Sequence, residues 1–242
     1  MVISNLDLEV RRGEIVALVG ANASGKSTLL AALARSLAPR GGSVRLGGAD
    51  VYSLGRREHA RRVARLPQEP TCAAGLTVES LALLGRHPHG PPLAGPSAAD
   101  HARAEAALRE LRLLELRARP VESLSGGERR RAWLALVLAQ DTEVLLLDEP
   151  SAGLDLRHRF ELLELLRRVN RERGVTIVCA LHELDDAARL ADRVAVLARG
   201  QLIAFGPPRE SLTPEVLLAA FGVEAALRWD DDGLSLRVTG AA

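Results

Sequence analysis

A glycine-rich nonapeptide between an apolar run and a helix-forming stretch constrains the fold more than any other part of the sequence. The run Glu14–Gly20 reads EIVALVG, and the stretch Leu29–Arg35 reads LLAALAR. Residues 20–28 between them read GANASGKST. The apolar run predicts a buried parallel strand, and the alanine- and leucine-rich stretch predicts a helix. Strand, glycine loop and helix in this order indicate an α/β fold.

The same nonapeptide matches the pattern G-x-x-x-x-G-K-[ST], in which backbone N–H groups surround phosphate oxygens. The N-terminus of the following helix adds a partial positive charge there. Lys26 is expected to reach the β- and γ-phosphates, and Ser27 to place its hydroxyl on Mg²⁺. We therefore predict that nine residues bind ATP: Gly20, Ala21, Asn22, Ala23, Ser24, Gly25, Lys26, Ser27 and Thr28.

Lysine usage supports this assignment independently. The chain has 32 Lys plus Arg residues, and Lys26 is the one lysine among them. A compact ammonium group fits between phosphates, whereas a planar guanidinium does not replace it there. An ordinary glycine turn before a helix would leave this choice of residue unexplained.

Composition limits the classes of protein to consider. A net charge of +1 and an aromatic content of 2% provide neither electrostatic attraction to nucleic acid nor surfaces for base stacking. We therefore expect no nucleic-acid partner. No signal peptide opens the sequence and no apolar run approaches the roughly 18 residues of a spanning helix, so work at a membrane would need a partner. Cys72 and Cys179 lack metal-ligand spacing and are expected to be free thiols in a reducing compartment.

Two adjacent carboxylates, Asp148 and Glu149, follow the apolar run Val144–Leu147. Ligand sites of parallel α/β sheets lie at the carboxyl ends of the strands. Asp148 suits Mg²⁺ coordination, and Glu149 could polarise the water that attacks the γ-phosphate. The alternative is that the pair merely ends a strand and caps the next helix.

The stretch Leu124–Glu128 reads LSGGE. Ser125 and Glu128 have the spacing of a capping box, which predicts a helix N-terminus. Capping does not explain Gly126 and Gly127, because each glycine costs roughly 1 kcal/mol inside a helix. Close approach of the backbone to an anion would offset that cost.

Further apolar runs at Val175–Leu181 and Val194–Leu197 alternate with helical stretches. Such runs predict parallel strands of a sheet covered on both faces, so the fold class is α/β. The alternating stretch Val2–Val10 predicts a half-buried strand and, with it, a short antiparallel β portion at the N-terminus.

Helical patterns dominate residues 72–140, interrupted by the loop Gly90–Pro96. Ser97 and Asp100 can cap a helix over Ala98–Leu116. We expect three parts, which are a nucleotide-binding core (1–71 and 141–205), an inserted helical subdomain (72–140), and a C-terminal helix and tail packed on the core (206–242).

Six motifs occur in the order typical of ABC-transporter nucleotide-binding subunits, and the chain resembles that family over nearly its whole length. They are the Walker A motif Gly20–Thr28, the glutamine loop at Gln68, the signature Leu124–Glu128, the Walker B motif Val144–Glu149, the loop Ser151–Asp155, and His182. The resemblance implies a P-loop NTPase core of ABC ATPase type with an inserted helical subdomain.

The resemblance also implies a head-to-tail homodimer that encloses two ATP molecules. The signature residues Leu124, Ser125, Gly126, Gly127 and Glu128 would contact the ATP of the other subunit, and Asp155 would contact that subunit's phosphate loop. Gln68, Glu149 and His182 would be the catalytic residues, and Ser27, Gln68 and Asp148 would hold Mg²⁺. The remaining histidines are expected at the surface: His59, His87, His89, His101 and His158.

Three stretches, Leu84–His89, Arg131–Gln140 and Gly206–Pro214, look like those of metal-chelate importers. That likeness implies an ATPase subunit on the cytoplasmic face of the membrane, bound to an integral membrane permease and served indirectly by a substrate-binding protein. A ferric siderophore is the first expectation for the substrate, with haem or cobalamin as alternatives. The loop Ser151–Asp155 departs from the usual siderophore pattern TTFLD. A soluble regulatory or nucleic-acid-associated ABC ATPase is the alternative of another class.

Overall fold

The computed structural model describes residues 3–91, 95–230 and 233–241. Within these residues the strands are β1 Ile15–Val19, β2 Arg45–Leu46, β3 Ala49–Asp50, β4 Val63–Leu66, β5 Val144–Asp148, β6 Thr176–Ala180, β7 Arg193–Ala198, β8 Gln201–Gly206, β9 Val223–Asp230 and β10 Gly233–Ala241. The α-helices are α1 Lys26–Leu33, α2 Arg56–Arg62, α3 Val78–Leu84, α4 Ala98–Glu110, α5 Gly126–Ala139, α6 Leu156–Arg173, α7 Leu184–Leu190, α8 Pro208–Ser211 and α9 Pro214–Phe221. None of the helices described is both long and apolar enough to cross a bilayer.

A six-stranded sheet with the order β4-β5-β6-β1-β7-β8 forms the centre of the molecule. Neighbouring strands from β4 to β7 are parallel, and β8 pairs antiparallel with β7. Successive residues of β1 enter different clusters: Ile15 and Ala17 lie in one hydrophobic core, and Val16 lies in the other. The sheet is therefore covered on both faces, which confirms the parallel strands predicted from the apolar runs.

Three helices, α3, α4 and α5, lie between β4 and β5 along the chain and contact one another. The predicted cap of α4 is confirmed, because Ser97 and Asp100 form a capping box. The helix ends at Glu110 rather than Leu116, since Arg112 takes a left-handed backbone conformation with φ +55°. The chain thereby turns, and Leu113 is fully buried. Of the predicted loop Gly90–Pro96, residues 92–94 lie outside the described residues.

The predicted strand over Val2–Val10 is wrong for the described residues 3–10, which form no strand. Ile3, Leu6 and Leu8 are partly buried against the core, as their alternation predicts. Ser4 N donates to Gly200 O at 2.9 Å, but no ladder forms. Alternating apolar residues indicate that one face of a segment is buried. They do not indicate whether a neighbouring strand is available to pair with it. Short antiparallel strands do occur later in the N-terminal part of the chain, in the pair β2 and β3.

The C-terminal part of the chain contains an antiparallel hairpin of β9 and β10, where the sequence analysis expected a helix and tail. The helix is α9, and it ends because Gly222 takes a left-handed conformation with φ +67°. The hairpin contacts α9 and α7 and buries Ala225 and Leu234. The period-two alternation of apolar residues from Val223 to Trp229 was the signal that could have revealed this strand.

His59 corrects another expectation, because it is buried with 6% exposure rather than lying at the surface. It stands on α2, beside the backbone of Leu33, the last residue of α1. Burial lowers the pKa of the imidazole, because the charged form is poorly solvated there.

Candidate nucleotide-binding site

A cleft of about 360 Å³ lies at the carboxyl ends of the parallel strands. It is lined by Asn22, Ala23, Ser24, Gly25, Lys26, Ser27, Thr28, Gln68, Glu149 and His182. The fold thus brings seven of the nine predicted ATP-binding residues into one cleft with the three predicted catalytic residues. Gly20 and Ala21 complete the loop but are not among the lining residues.

Two glycines permit the backbone of the phosphate loop to take its shape. Gly20 has φ +150°, and a Cβ on it would lie 2.1 Å from Leu197 O. Gly25 has φ +112° at the N-cap of α1. Any larger residue at position 20 would collide with the backbone of β7, so the glycine follows from the packing of the loop on the sheet.

Lys26 is buried in the loop with 5% exposure. Its Nζ donates to Gly20 O at 2.7 Å and to Ala21 O at 3.2 Å. Burial lowers the pKa of the ammonium, whereas the carboxylates of Glu149 and Asp148 act to raise it. The lysine therefore presents a positive charge inside the loop, next to two negative charges.

Ser27 and Asp148 meet on the floor of the cleft, where Ser27 Oγ donates to Asp148 Oδ1 at 3.0 Å. Ser27 stands in the first turn of α1, and Asp148 ends β5. Asp148 is 1% exposed, and burial raises the pKa of its carboxyl while the Ser27 hydrogen bond opposes the rise. A hydroxyl and a buried carboxylate side by side form an oxygen-rich position of the kind that Mg²⁺ prefers.

Glu149 is held between two other predicted catalytic residues. Gln68 Nε2 donates to Glu149 Oε2 at 3.0 Å, and His182 Nε2 lies 2.6 Å from Glu149 Oε1. The three residues follow β4, β5 and β6, which are adjacent in the sheet. The strand order therefore places an amide, a carboxylate and an imidazole together at the mouth of the cleft.

The signature residues lie outside this cleft. Ser125 and Glu128 form the predicted capping box at the start of α5, and Leu124 is buried beneath it. Ser125 and Gly126 are exposed, and a Cβ on Gly126 would meet nothing within 4 Å. Nothing in the described part of the chain therefore requires a glycine at position 126.

Asp155 likewise lies outside the cleft, where its side chain caps α6. Its Oδ1 accepts a hydrogen bond from His158 N at 2.8 Å. Hydrogen bonds from His158 lower the pKa of the Asp155 carboxyl.

A family model described as ABC transporter matches residues 3–152, well over half of the chain. The chain belongs to the ABC transporter family. The match includes the phosphate loop, Gln68, the signature and the carboxylate pair, which confirms the family resemblance inferred from the motifs.

Several related proteins align with most of the length of this ABC ATPase. The achromobactin transport ATP-binding protein of Dickeya dadantii is 42% identical over 226 residues, covering 93% of this chain and 84% of that protein. The ferric enterobactin transport ATP-binding protein of Escherichia coli is 38% identical over 226 residues, covering 93% and 83%. The hemin import ATP-binding protein of Bordetella parapertussis is 41% identical over 232 residues, covering 93% and 87%.

Solved structures agree with the fold. One described as an inward-facing metal-chelate type ABC transporter has a TM-score of 0.83 and 27% identity, covering 99% of this chain and 91% of its own. The dimeric cassette MJ0796 in a post-hydrolysis state with ADP and Pi has a TM-score of 0.77 and 25% identity, covering 86% and 91%. The protein is therefore an ABC-type ATPase with a P-loop NTPase core, as predicted.

The ABC ATPase also contains one buried residue at the site that the sequence analysis missed. Arg130 of α5 is 7% exposed and donates to backbone carbonyls of Gln68 and Glu149. It stands within the run Arg129–Arg131, and nothing in that run distinguishes a buried arginine from its neighbours.

Proposed function

We propose that the chain is the ATP-hydrolysing subunit of a metal-chelate importer, with a ferric siderophore as the first choice of substrate. The arrangement of Glu149 between Gln68 and His182, at the mouth of the phosphate-loop cleft, carries the assignment of hydrolysis. The names of the achromobactin and ferric enterobactin relatives support the substrate class. A haem importer is the second candidate because a hemin import protein is similarly related, and cobalamin stays an alternative from the sequence.

In the mechanism we propose, the loop Gly20–Thr28 and the N-terminus of α1 bind the phosphates through backbone N–H groups and the Lys26 ammonium. Glu149 accepts a proton from the attacking water and orients it toward the γ-phosphate. His182 stabilises charge on the γ-phosphate oxygens, and Gln68 holds the carboxylate of Glu149 in place.

Ser27 and Asp148 fit a magnesium ion, and Gln68 would add its amide oxygen, since its amide nitrogen donates to Glu149. Within the described residues no three or more His, Cys, Asp or Glu side chains form a group that could hold a metal. The oxygens of Ser27, Asp148 and Gln68 suit Mg²⁺, which usually binds through one or two carboxylates and completes its shell with phosphates and water. When bound, Mg²⁺ would neutralise charge on the phosphates.

The exposed Gly126 of the signature supports a homodimer in which Ser125, Gly126 and Gly127 contact the ATP of the other subunit. Each glycine costs roughly 1 kcal/mol in a helix. Since no described residue lies within 4 Å of a Cβ placed on Gly126, we attribute the contact that offsets this cost to a second subunit. Asp155 would contact the phosphate loop of the same neighbouring subunit.

We assign residues 72–140 to a helical subdomain that transmits the nucleotide state to an integral membrane permease on the cytoplasmic face. Residues 1–71 and 141–205 would form the nucleotide-binding core, with 206–242 packed on it. A substrate-binding protein would act indirectly, and no nucleic acid would take part. Nucleotide can drive transport in this way because it binds the closed dimer more tightly than the open one.

The test is the substitution Glu149→Gln, which keeps the size of the side chain and removes its ability to accept a proton. We expect turnover of MgATP to fall by at least about 100-fold while ATP binding is retained. Light scattering should then show a stable dimer that depends on ATP. Glu164→Gln, at an exposed position of α6, is the matched control and should behave like the parent. Parent-like turnover by Glu149→Gln would contradict the proposed role of Glu149.

Reconstitution with candidate permeases tests the substrate. We expect ATP turnover to rise when the matching binding protein is loaded with a ferric siderophore. Stimulation by haem or cobalamin alone would replace the first choice with the second or third.

A further inference from the structure

Arg130 lies under the mouth of the cleft with every N–H of its guanidinium directed at a backbone carbonyl. Nε donates to Pro150 O at 3.1 Å, and Nη1 donates to Gln68 O at 2.9 Å and to Pro67 O at 3.4 Å. Nη2 donates to Asp148 O at 2.7 Å and to Glu149 O. A guanidinium has five N–H groups, so these five carbonyls use its full capacity.

The five carbonyls belong to two separate segments of the chain. Pro67 and Gln68 follow β4, whereas Asp148, Glu149 and Pro150 follow or end β5. Arg130 itself stands on α5, one turn after the exposed start of the signature helix. One side chain therefore connects the segment of Gln68, the segment of Glu149 and the helix that carries the signature.

Glu149 has a backbone conformation that needs such support. Its φ is +50°, in the left-handed region that costs an L-residue about 1–2 kcal/mol. Such conformations persist only where the surroundings hold them. The carbonyl of Glu149 accepts hydrogen bonds from Arg130 and from Ala152 N, the latter at 3.1 Å. These bonds hold the peptide from which the Glu149 side chain projects toward Gln68 and His182.

The hydrogen-bond partners of the buried Arg130 guanidinium are backbone carbonyls rather than carboxylates. Burial lowers the pKa of the guanidinium, and the carboxylates of Asp148 and Glu149 act to raise it. Among the described residues no salt bridge within 4.0 Å joins Arg130 to a carboxylate. The desolvation of the guanidinium is therefore compensated by backbone carbonyls, which tie it to main-chain positions.

We infer that Arg130 is a positioning residue that fixes the backbones of Gln68 and Glu149 relative to each other and thereby sets the geometry of the hydrolytic carboxylate. It is absent from the residues lining the cleft, so it acts through Glu149 rather than on the nucleotide. The inference rests on the catalytic role proposed for Glu149.

The test is a series of substitutions with fewer N–H donors, measured for kcat, KM and the affinity for ATP. Lysine offers three donors, glutamine two and methionine none. We expect kcat to fall about tenfold for Arg130→Lys and further for Arg130→Gln and Arg130→Met, in that order. The dissociation constant for ATP should change by less than about threefold, because the phosphate loop is untouched. Arg129→Met, at the exposed neighbouring position, is the matched control and should keep the parent's kcat.

Hydrogen–deuterium exchange of the nucleotide-free protein separates positioning from a general loss of stability. In Arg130→Lys we expect faster exchange confined to peptides covering residues 66–70 and 148–152, with β1 unchanged. If Arg130→Met fails to fold, Arg130→Lys and Arg130→Gln decide the matter.

Parent-like kcat in both of those variants, or exchange that rises equally across the sheet, would overturn the inference. The proposed function is judged separately by Glu149→Gln. Loss of turnover in Glu149→Gln together with full turnover in the Arg130 series would overturn the inference alone.

Discussion

The N-termini of α4 and α5 are built from the same local motif. In α4, Ser97 Oγ accepts from Asp100 N at 3.2 Å, and Asp100 Oδ2 accepts from Ser97 N at 2.9 Å. In α5, Ser125 Oγ accepts from Glu128 N at 3.3 Å, and Glu128 Oε2 accepts from Ser125 N at 2.9 Å. Both capping boxes satisfy the same orphan donors of a helix start.

The two starts differ in what stands inside the box and around it. The inner residues are Ala98 and Ala99 in α4, and Gly126 and Gly127 in α5. Asp100 is buried and pairs with Arg86 at 3.0 Å, whereas Glu128, at the corresponding position of α5, is half-buried. The first capping box is packed against Arg86 of the same chain, whereas the second exposes the backbone of Gly126 to solvent. A shared capping motif thus serves structure in one helix and, in our proposal, ATP binding across a dimer in the other.

The largest effect is expected from the double substitution Gly126→Ala with Gly127→Ala, which gives α5 the inner residues of α4. We expect the free energy of unfolding to rise by up to about 1 kcal/mol per site, because alanine is the better helix former. Turnover of ATP should nevertheless fall by at least about 100-fold, since added methyl groups keep the other subunit's ATP from the backbone. Denaturant unfolding and steady-state kinetics measure the two effects. Unchanged turnover would remove the functional difference between the helices.

The reverse exchange, Ala98→Gly with Ala99→Gly, is expected to act on stability alone. Both alanines are exposed, so the main cost is the poor helix propensity of glycine, about 2 kcal/mol for the pair. Urea unfolding measures the loss, and turnover at a temperature well below the midpoint should equal that of the parent. A fall in turnover as large as that of the α5 exchange would mean that glycines disturb the ATPase wherever they enter the helical part.

The smallest effect is expected from Asp100→Asn, and it depends on pH. Hydrogen bonds from Ser97, together with Arg86, lower the pKa of Asp100 to about 2. A carboxyl whose folded pKa lies below its unfolded value of about 3.9 stabilises the fold at higher pH, and this contribution is lost as pH falls toward the folded value. We expect Asp100→Asn to lower the free energy of unfolding by about 1–2 kcal/mol near pH 6.

Unfolding curves of parent and Asp100→Asn between pH 6 and pH 3 test this. The difference between the two proteins should be constant above about pH 5 and shrink below it. A difference that does not change with pH would show that the charge of Asp100 is not what stabilises the start of α4.

Local sequence patterns predicted much of the fold correctly. The apolar runs before residues 20 and 148 became β1 and β5, and both capping boxes formed where Ser and an acidic residue stand three apart. These features depend on contacts within a few residues or on burial of a whole segment. The errors arose where the outcome depended on distant partners: residues 3–10 found no strand to pair with, His59 was buried, and β9 and β10 paired with each other.

The same distinction applies to the candidate site. The pattern of residues 20–28 defines the phosphate loop, because its glycines and lysine act through their own backbone and side chains. Glu149 was assigned from its position after an apolar run, whereas Gln68 and His182 were assigned from a family resemblance. Their contact comes from the strand order β4-β5-β6, which no local pattern specifies. Arg130 was missed because its partners are main-chain carbonyls of distant segments. Every residue has a main-chain carbonyl, so residue types do not indicate which carbonyls accept a hydrogen bond from a side chain.

The sequence by itself determined that the chain is an α/β protein with a phosphate loop, since these follow from residue type, spacing and periodicity. The order of its motifs showed the resemblance to ABC ATPases. Only the tertiary structure decided that Glu149 lies between Gln68 and His182, and that a buried arginine joins their backbones. The physical reason is the separation along the sequence of the residues that interact. Local hydrogen bonds and side-chain volumes choose helices, strands and turns, whereas the pairing of distant strands and the burial of a charge depend on the whole packed core.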